Sequence, residues 1–352
     1  HDAMLWLTQE QAAKAFDSVS GEAYASFESV SIQSAAVLAD LLTARLDRTF
    51  DALDEDRPIL VSAYAEAPSM PSALASGAAR QGGGWIAAYG ATANLPGDGN
   101  AAAVDSTMGG VAGGFDGSVG DWRMGAMLHV GRTSAEVDDR STSGDSTDYG
   151  AGLYGGRQWG ATRLSLGAAY TRHDWDTSRN VGFPGFSDSL SADYSTGTAQ
   201  AFGKLSHAFD LGVASLVPYA SLAYVNQSAD AFRETGGAAA LESKADAIDA
   251  TFTTLGLGGR REFLLGDRLM TAKAAVGWRH AYSDTAGVTQ TLAGGDSFFL
   301  VGASVPRDMA VLNAGLNLNF TPDTTVGLAY DGQVGSDGAQ THALKGAWAT
   351  QF

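Results

Sequence analysis

The last nine residues alternate apolar and polar up to the end of the chain. From Leu344 to Phe352 one parity reads Leu, Gly, Trp, Thr, Phe and the other Lys, Ala, Ala, Gln. A strand turns successive side chains to opposite faces, so one face of this segment is apolar and the other polar. Ending on an exposed aromatic is unfavourable in water. It is natural for a strand whose apolar face meets lipid.

The same period runs through the chain from Trp85 onward. Trp122, Met124, Ala126, Leu128 and Val130 alternate with Arg123, Gly125, Met127, His129 and Gly131; Leu312, Ala314, Leu316, Leu318 and Phe320 alternate with Asn313, Gly315, Asn317 and Asn319. One face is apolar with aromatics toward its ends, and the other holds small, amide and basic residues. Apolar-out and polar-in is the pattern of a transmembrane barrel. Roughly twelve such segments begin near residues 85, 105, 121, 147, 161, 193, 213, 249, 268, 307, 324 and 340, an even number as bacterial barrels require. The expected fold is an all-β transmembrane barrel of 12 antiparallel strands. Tight turns alternate with polar loops expected near 94–103, 135–146, 176–191, 228–248 and 284–297, and a short hairpin near 335–339. Short turns belong to the periplasmic rim, which puts Phe352 there. A large soluble sandwich also alternates, but it would have to bury the bulky charges of the polar face.

Ahead of the barrel the period is helical. Thr8 and Gln11 form a capping-box signature, and Leu38, Leu42, Leu46 and Phe50 recur every four residues as one stripe. Asp40, Asp47, Asp51 and Asp54 make an acidic stripe on another face, and Gly21 is placed to interrupt the helix. Pro58, Pro68, Pro71 and Gly82–Gly84 mark a linker. The expected organisation is a helical segment 1–57, a linker 58–83 and a barrel 84–352. No apolar run is long enough for a spanning helix; the nearest, Leu211–Val225, carries Ser215, Pro218 and Ser221.

Composition narrows function. There are no cysteines, so disulfides, thiolate metal sites and cysteine nucleophiles are excluded. A net charge of −17 argues against nucleic acid. No metal or cofactor is expected. Gly150, Gly152 and Gly155 match a dinucleotide-loop spacing, but no helix follows them. His129, His173, His207, His280 and His342 are scattered singly. Asp138, Asp139 and Asp145 read as a solvated acidic loop. The chain opens on His1 with no leader, so further sequence upstream is expected.

By parity Arg123, Arg163, Lys204, Arg260, Lys273, Arg279 and Lys345 point into the lumen. Residues 1–57 hold eleven acids against four bases. An acidic helix beside a basic wall is complementary, and partial exclusion of water strengthens each pairing. The helix around Asp40–Asp54 is therefore expected to plug the pore with its acids facing the wall.

Several segments carry a family resemblance. Ala15–Glu22 (AFDSVSGE), Pro218–Val225 (PYASLAYV), Glu234–Leu241 (ETGGAAAL) with Thr253–Leu257 (TTLGL), and the terminal Phe352 resemble the translocator β-domain of monomeric autotransporters, the type V secreted proteins of Gram-negative bacteria. The resemblance covers nearly the whole chain. Thr350 departs from it, standing where the terminal assembly signal often has an apolar residue. The resemblance implies a monomeric twelve-stranded barrel in outer-membrane lipid and lipopolysaccharide, with an N-terminal α-helix threading its lumen. It implies insertion by the barrel-assembly machinery, with Trp348 and Phe352 in the recognised strand, and an upstream passenger carried to the surface. Some relatives cleave their passenger by cyclising an asparagine in the pore, but none precedes Asn94 here; Asp148 or Asp331 could serve another route, though nothing singles them out. A porin-like channel is the second reading and an outer-membrane lipid hydrolase the third.

Overall fold

The computed structural model describes residues 6–53, 82–245, 247–283 and 286–352. Twelve long strands form the barrel: β1 Gly82–Leu95, β2 Val104–Val119, β3 Trp122–Val137, β4 Thr142–Trp159, β5 Thr162–Phe183 and β6 Phe186–His207, then β7 Ser215–Ala229, β8 Ile248–Leu265, β9 Arg268–Ser283, β10 Asp308–Thr321, β11 Thr324–Gly335 and β12 Gln340–Gln351. Each pairs antiparallel with its neighbours in sequence. β12 closes the cylinder on β1 from Gly83↔Gln351 to Asn94↔Gln340. Closure leaves no edge amide facing lipid, where it would lack a partner.

Parity sorts the side chains. Met124, Leu128 and Val130 point out and are more than half exposed, while the intervening Arg123 and His129 are buried in the bore. Two exposed aromatic girdles bound the apolar band. Tyr149, Tyr170, Tyr224 and Tyr282 lie toward the outer rim, and Phe115, Trp159, Trp348 and Phe352 toward the turns. Such girdles mark the two interfaces of a bilayer.

The expected loops at 135–146 and 176–191 are not loops. β3 and β4 join through one short turn at Asp138–Arg140, and β5 and β6, each 22 residues long, continue to Phe183 and Phe186. Above the lipid a strand needs no apolar outer face, so Asp174, Asp176 and Ser178 turn to solvent while Trp175, Thr177 and Val181 face inward. Polar residues at every second position look like loop to a composition reading.

Two helices precede the barrel. α1, Gln9–Ser20, starts with a full capping box: Gln11 N donates to Thr8 Oγ1 (3.3 Å) and Thr8 N to Gln11 Oε1 (3.0 Å). It rests at the outer mouth, with Val19 against Val181 and Leu190. Gly21 ends it at φ +70°, a left-handed conformation that glycine adopts without penalty. α2, Ala23–Leu53, then runs down the lumen toward the periplasmic turns. Only α2 lies inside the bore. Asp54 and the linker residues 58–81 lie outside the described residues.

Two loops roof the mouth with a four-stranded sheet built from Phe232–Arg233, Leu241–Ala245, Gly287–Leu292 and Ser297–Val301. A Cβ added at Gly21 would lie 2.4 Å from Leu241 Cδ1 of this roof. Gly21→Ala should therefore destabilise the folded barrel by about 1–3 kcal/mol, from backbone strain plus this clash. The check is a lowered midpoint for loss of the heat-modifiable band on detergent gels.

Candidate functional site: the helix in the lumen

The helix α2 is held off-centre. Its stripe Leu38, Leu42, Leu46 and Phe50 is buried against Trp85, Ala87, Ala112, Met127 and Tyr154 on β1–β4. The opposite side faces a cavity of about 250 Å³ lined by Asp40, Asp47, Arg48 and Asp51 of the helix and by residues of β5–β11. Above this cavity Ile32 and Ala35 pack with Val225, Ile248, Ala250 and Ala286. Higher still, Phe27 stacks on Trp175 at 5.3 Å.

The acids of the helix meet the wall on the cavity side. Asp51 pairs with Arg163 at 2.6 Å and also with Arg260 and Lys273; Asp47 pairs with Lys204 at 3.1 Å; Asp40 approaches Arg279 at 3.9 Å. Two lumen bases named from the sequence go elsewhere. Arg123 binds Asp116 (2.6 Å) and Lys345 binds Asp331 (2.8 Å), so both answer acids of the wall and not of the helix.

On the packed side the polarity is reversed. Arg45 of the helix donates from Nε and Nη2 to Asp116 at 2.7 and 3.0 Å, and Tyr154 donates to the same carboxylate at 2.8 Å while accepting from Trp85 Nε1 at 2.6 Å. Asp116 thus serves two buried guanidiniums and a phenol. A buried carboxylate is tolerable only when charges and donors surround it in this way. Charge counting on residues 1–57 missed this, because it sees the net sign of a segment and not which face a given base occupies.

At the outer mouth, ionic contacts fasten the α1–α2 junction. Arg179 donates to Glu234 from Nε (2.8 Å) and Nη2 (2.5 Å), to Ser18 O (2.9 Å) and to Ala239 O (3.0 Å). Tyr24 OH donates to Glu234 at 2.6 Å, and Arg140 Nε donates to Glu22 at 3.0 Å. Ser29 Oγ donates to Ala303 O at 2.6 Å, and Ala303 N donates to Ser26 Oγ at 2.9 Å. Arg140 lies in the segment expected as an acidic loop; Asp138 and Asp139 beside it are exposed.

The scattered histidines are brought together by register. Asp148 stands directly opposite His173 and accepts from His173 Nδ1 (2.7 Å), Thr133 (2.7 Å) and Ser146 (2.5 Å). His129 Nε2 contacts Thr171 at 2.9 Å. The group faces the bore, away from lipid. Spacings of 19, 25 and 44 residues between Asp148, His173 and His129 carry no signal until strand pairing is known.

Glu28 sits near Tyr194, above the apolar band. It is 3 % exposed and its Oε2 has no hydrogen-bond partner among the described residues. Burial pushes its carboxyl up to about 8. Between the ordinary carboxylate range and that value the folded protein keeps a proton that the unfolded chain releases, so stability falls as pH rises across this window. Glu28→Gln should flatten that decline and raise the unfolding midpoint at pH 8 more than at pH 5. Thermal melts of the detergent-solubilised protein at the two pH values check this.

Comparison with known proteins reproduces the architecture. Residues 84–331 match the profile of the family described as autotransporter β-domain. An extracellular serine protease of Serratia marcescens is 30 % identical over 322 residues, covering 91 % of this chain and 29 % of that protein; a second from the same organism is 31 % identical over 258 residues, covering 72 % and 25 %. The chain thus spans under a third of the length of these curated relatives. Among solved structures, the translocator domain of autotransporter NalP from Neisseria meningitidis is similar at TM-score 0.63 and 16 % identity, covering 91 % of this chain and 98 % of that one. The β-domain of the Bordetella autotransporter BrkA is similar at TM-score 0.60 and 20 % identity, covering 77 % and 100 %.

Proposed function

The chain belongs to the autotransporter β-domain family, and from that premise we propose that it anchors and exports an N-terminal passenger to the cell surface. Domains of this family reside in the bacterial outer membrane. The observation that carries the reading is the direction of α2: its N-terminal end lies at the roofed mouth and its C-terminal end near the rim that holds Phe352. A passenger joined upstream of α1 would then sit outside the cell while the barrel stays in lipid and lipopolysaccharide. The protease activity in the names of the Serratia relatives is said of whole proteins, of which this chain matches a part.

In this reading the helix closes the pore after export, and two features share the task. The aliphatic packing around Ile32 excludes water, and the pairs at Asp47 and Asp51 hold the lower helix to the wall. Trp348 and Phe352, both exposed on the lipid side of β12, serve as the signal read by the barrel-assembly machinery. The barrel acts as a monomer and the translocator itself catalyses no reaction.

A reporter fused ahead of His1 should become accessible to protease on intact cells, and Phe352→Ser should lower both that signal and the yield of heat-modifiable barrel. Reporter retained in the periplasm with a correctly folded barrel would reject export. For closure, Asp47→Lys with Asp51→Lys should raise single-channel conductance in planar bilayers, since four wall cations then face two new ones at close range. An unchanged trace would remove these pairs from the seal. Open conductance in the unmodified chain would favour the porin-like reading instead.

A further inference from the structure

One base of the helix stands apart from the pairs above. Arg48 projects from α2 toward β10 and β11, and it makes no hydrogen bond or ion pair among the described residues; its Nε is screened from solvent and lacks a partner. The nearest carboxylates are committed elsewhere, Asp47 to Lys204 and Asp51 to Arg163, Arg260 and Lys273. Arg45, one turn above, adds positive charge. A guanidinium presents five donors in a fixed fork and does not lose its proton. Such a group in a partly enclosed space calls for an anionic acceptor.

The wall makes room for the guanidinium itself, and the cavity beside it for an acceptor. Gly327 faces Arg48, and a Cβ there would lie 3.1 Å from Arg48 Nη1 and 2.5 Å from Asn317 Oδ1. Any larger residue would fill the space the guanidinium and the amide occupy. Arg48, Asn313, Gly315 and Asn317 line the same cavity of about 250 Å³, which reaches down to Ala161 and Ala208 near the periplasmic turns. Among the described residues six basic side chains and four carboxylates line it.

We infer that the Arg48 guanidinium forms a binding site for a small monovalent anion of the halide class inside the lumen. The single charge follows from the surroundings. Asp47, Asp51 and Asp331 line the same cavity, and a multiply charged anion would meet their repulsion at low effective dielectric, whereas a halide is held by Arg48 at contact distance. The site is separate from export: its occupant answers one buried guanidinium, not the passenger.

Bromide is the probe. Crystals of the full chain in detergent, soaked in sodium bromide, should show an anomalous peak in contact with the Arg48 guanidinium, stronger than any on the exposed Arg233 and Arg268. Arg48→Gln should lose that peak alone, and Arg48→Lys should keep it. The heat-modifiability midpoint of the unmodified chain should also be higher in bromide than in gluconate at equal ionic strength, by linkage to the bound ion, and this difference should vanish in Arg48→Gln. No peak at Arg48 in the unmodified chain, a peak no stronger than those on Arg233 and Arg268, or a peak that survives Arg48→Gln would each overturn the site. Reporter display should be the same in Arg48→Gln as in the unmodified chain, so failure of the anion site and failure of export are read separately.

Discussion

Backbone amides and carbonyls in a bilayer have no water to bond with, and the seam between β1 and β12 is where this chain meets that demand. Gly82 and Phe352 exchange backbone hydrogen bonds at 3.3 and 3.1 Å at the bottom of the seam, and the pairing continues up to Asn94↔Gln340. Without it the cylinder would expose two edges to lipid, each unpaired group costing several kcal/mol. The alternation that reaches Phe352 follows from this: the last strand must be as regular as the others, since it has a partner on both sides. Every other feature depends on closure, because only a closed wall defines an interior in which a helix can be held.

Inside that wall the helix is supported unevenly. One side of α2 is packed like a protein core, with Leu42 and Leu46 fully buried and the ion-paired Arg45–Asp116–Arg123 group beside them. The other side faces a charged cavity where Asp47 and Asp51 answer bases from β5, β6, β8 and β9. Aliphatic burial gives affinity without direction, whereas ion pairs with fixed partners set rotation and depth. The roof adds a third constraint by gripping the junction at Gly21 through Arg179–Glu234 and Arg140–Glu22. A helix held at its top, along one flank and near its foot has little freedom to slide.

Much of this was legible in the residues. Period two from Trp85 onward, the four-residue stripe at Leu38–Phe50, the capping box at Thr8 and the break at Gly21 are local patterns, and local patterns survive translation into structure. The hairpins above the lipid were less legible. Asp174, Asp176 and Ser178 are soluble on a strand as on a loop, so their composition does not separate the two. The destinations of individual charges were not legible at all. Arg123 and Lys345 point inward as parity requires, but which acid they meet depends on neighbouring strands, and Asp116 and Asp331 gave no sign of their role.

By itself, then, the sequence determined which side chains face lipid and which face the bore, how many strands alternate, and where the helical segment stops being regular. These follow from the fixed two-residue and 3.6-residue periods of the backbone, which act within a few residues. Tertiary structure alone decided that Asp148 meets His173, that Arg45 shares Asp116 with Arg123, that Glu234 reaches back to Tyr24, and that Arg48 meets no acid among the described residues. Those contacts join residues up to 210 positions apart, and they come into being only when strand register and closure bring distant segments to the same height in one cylinder.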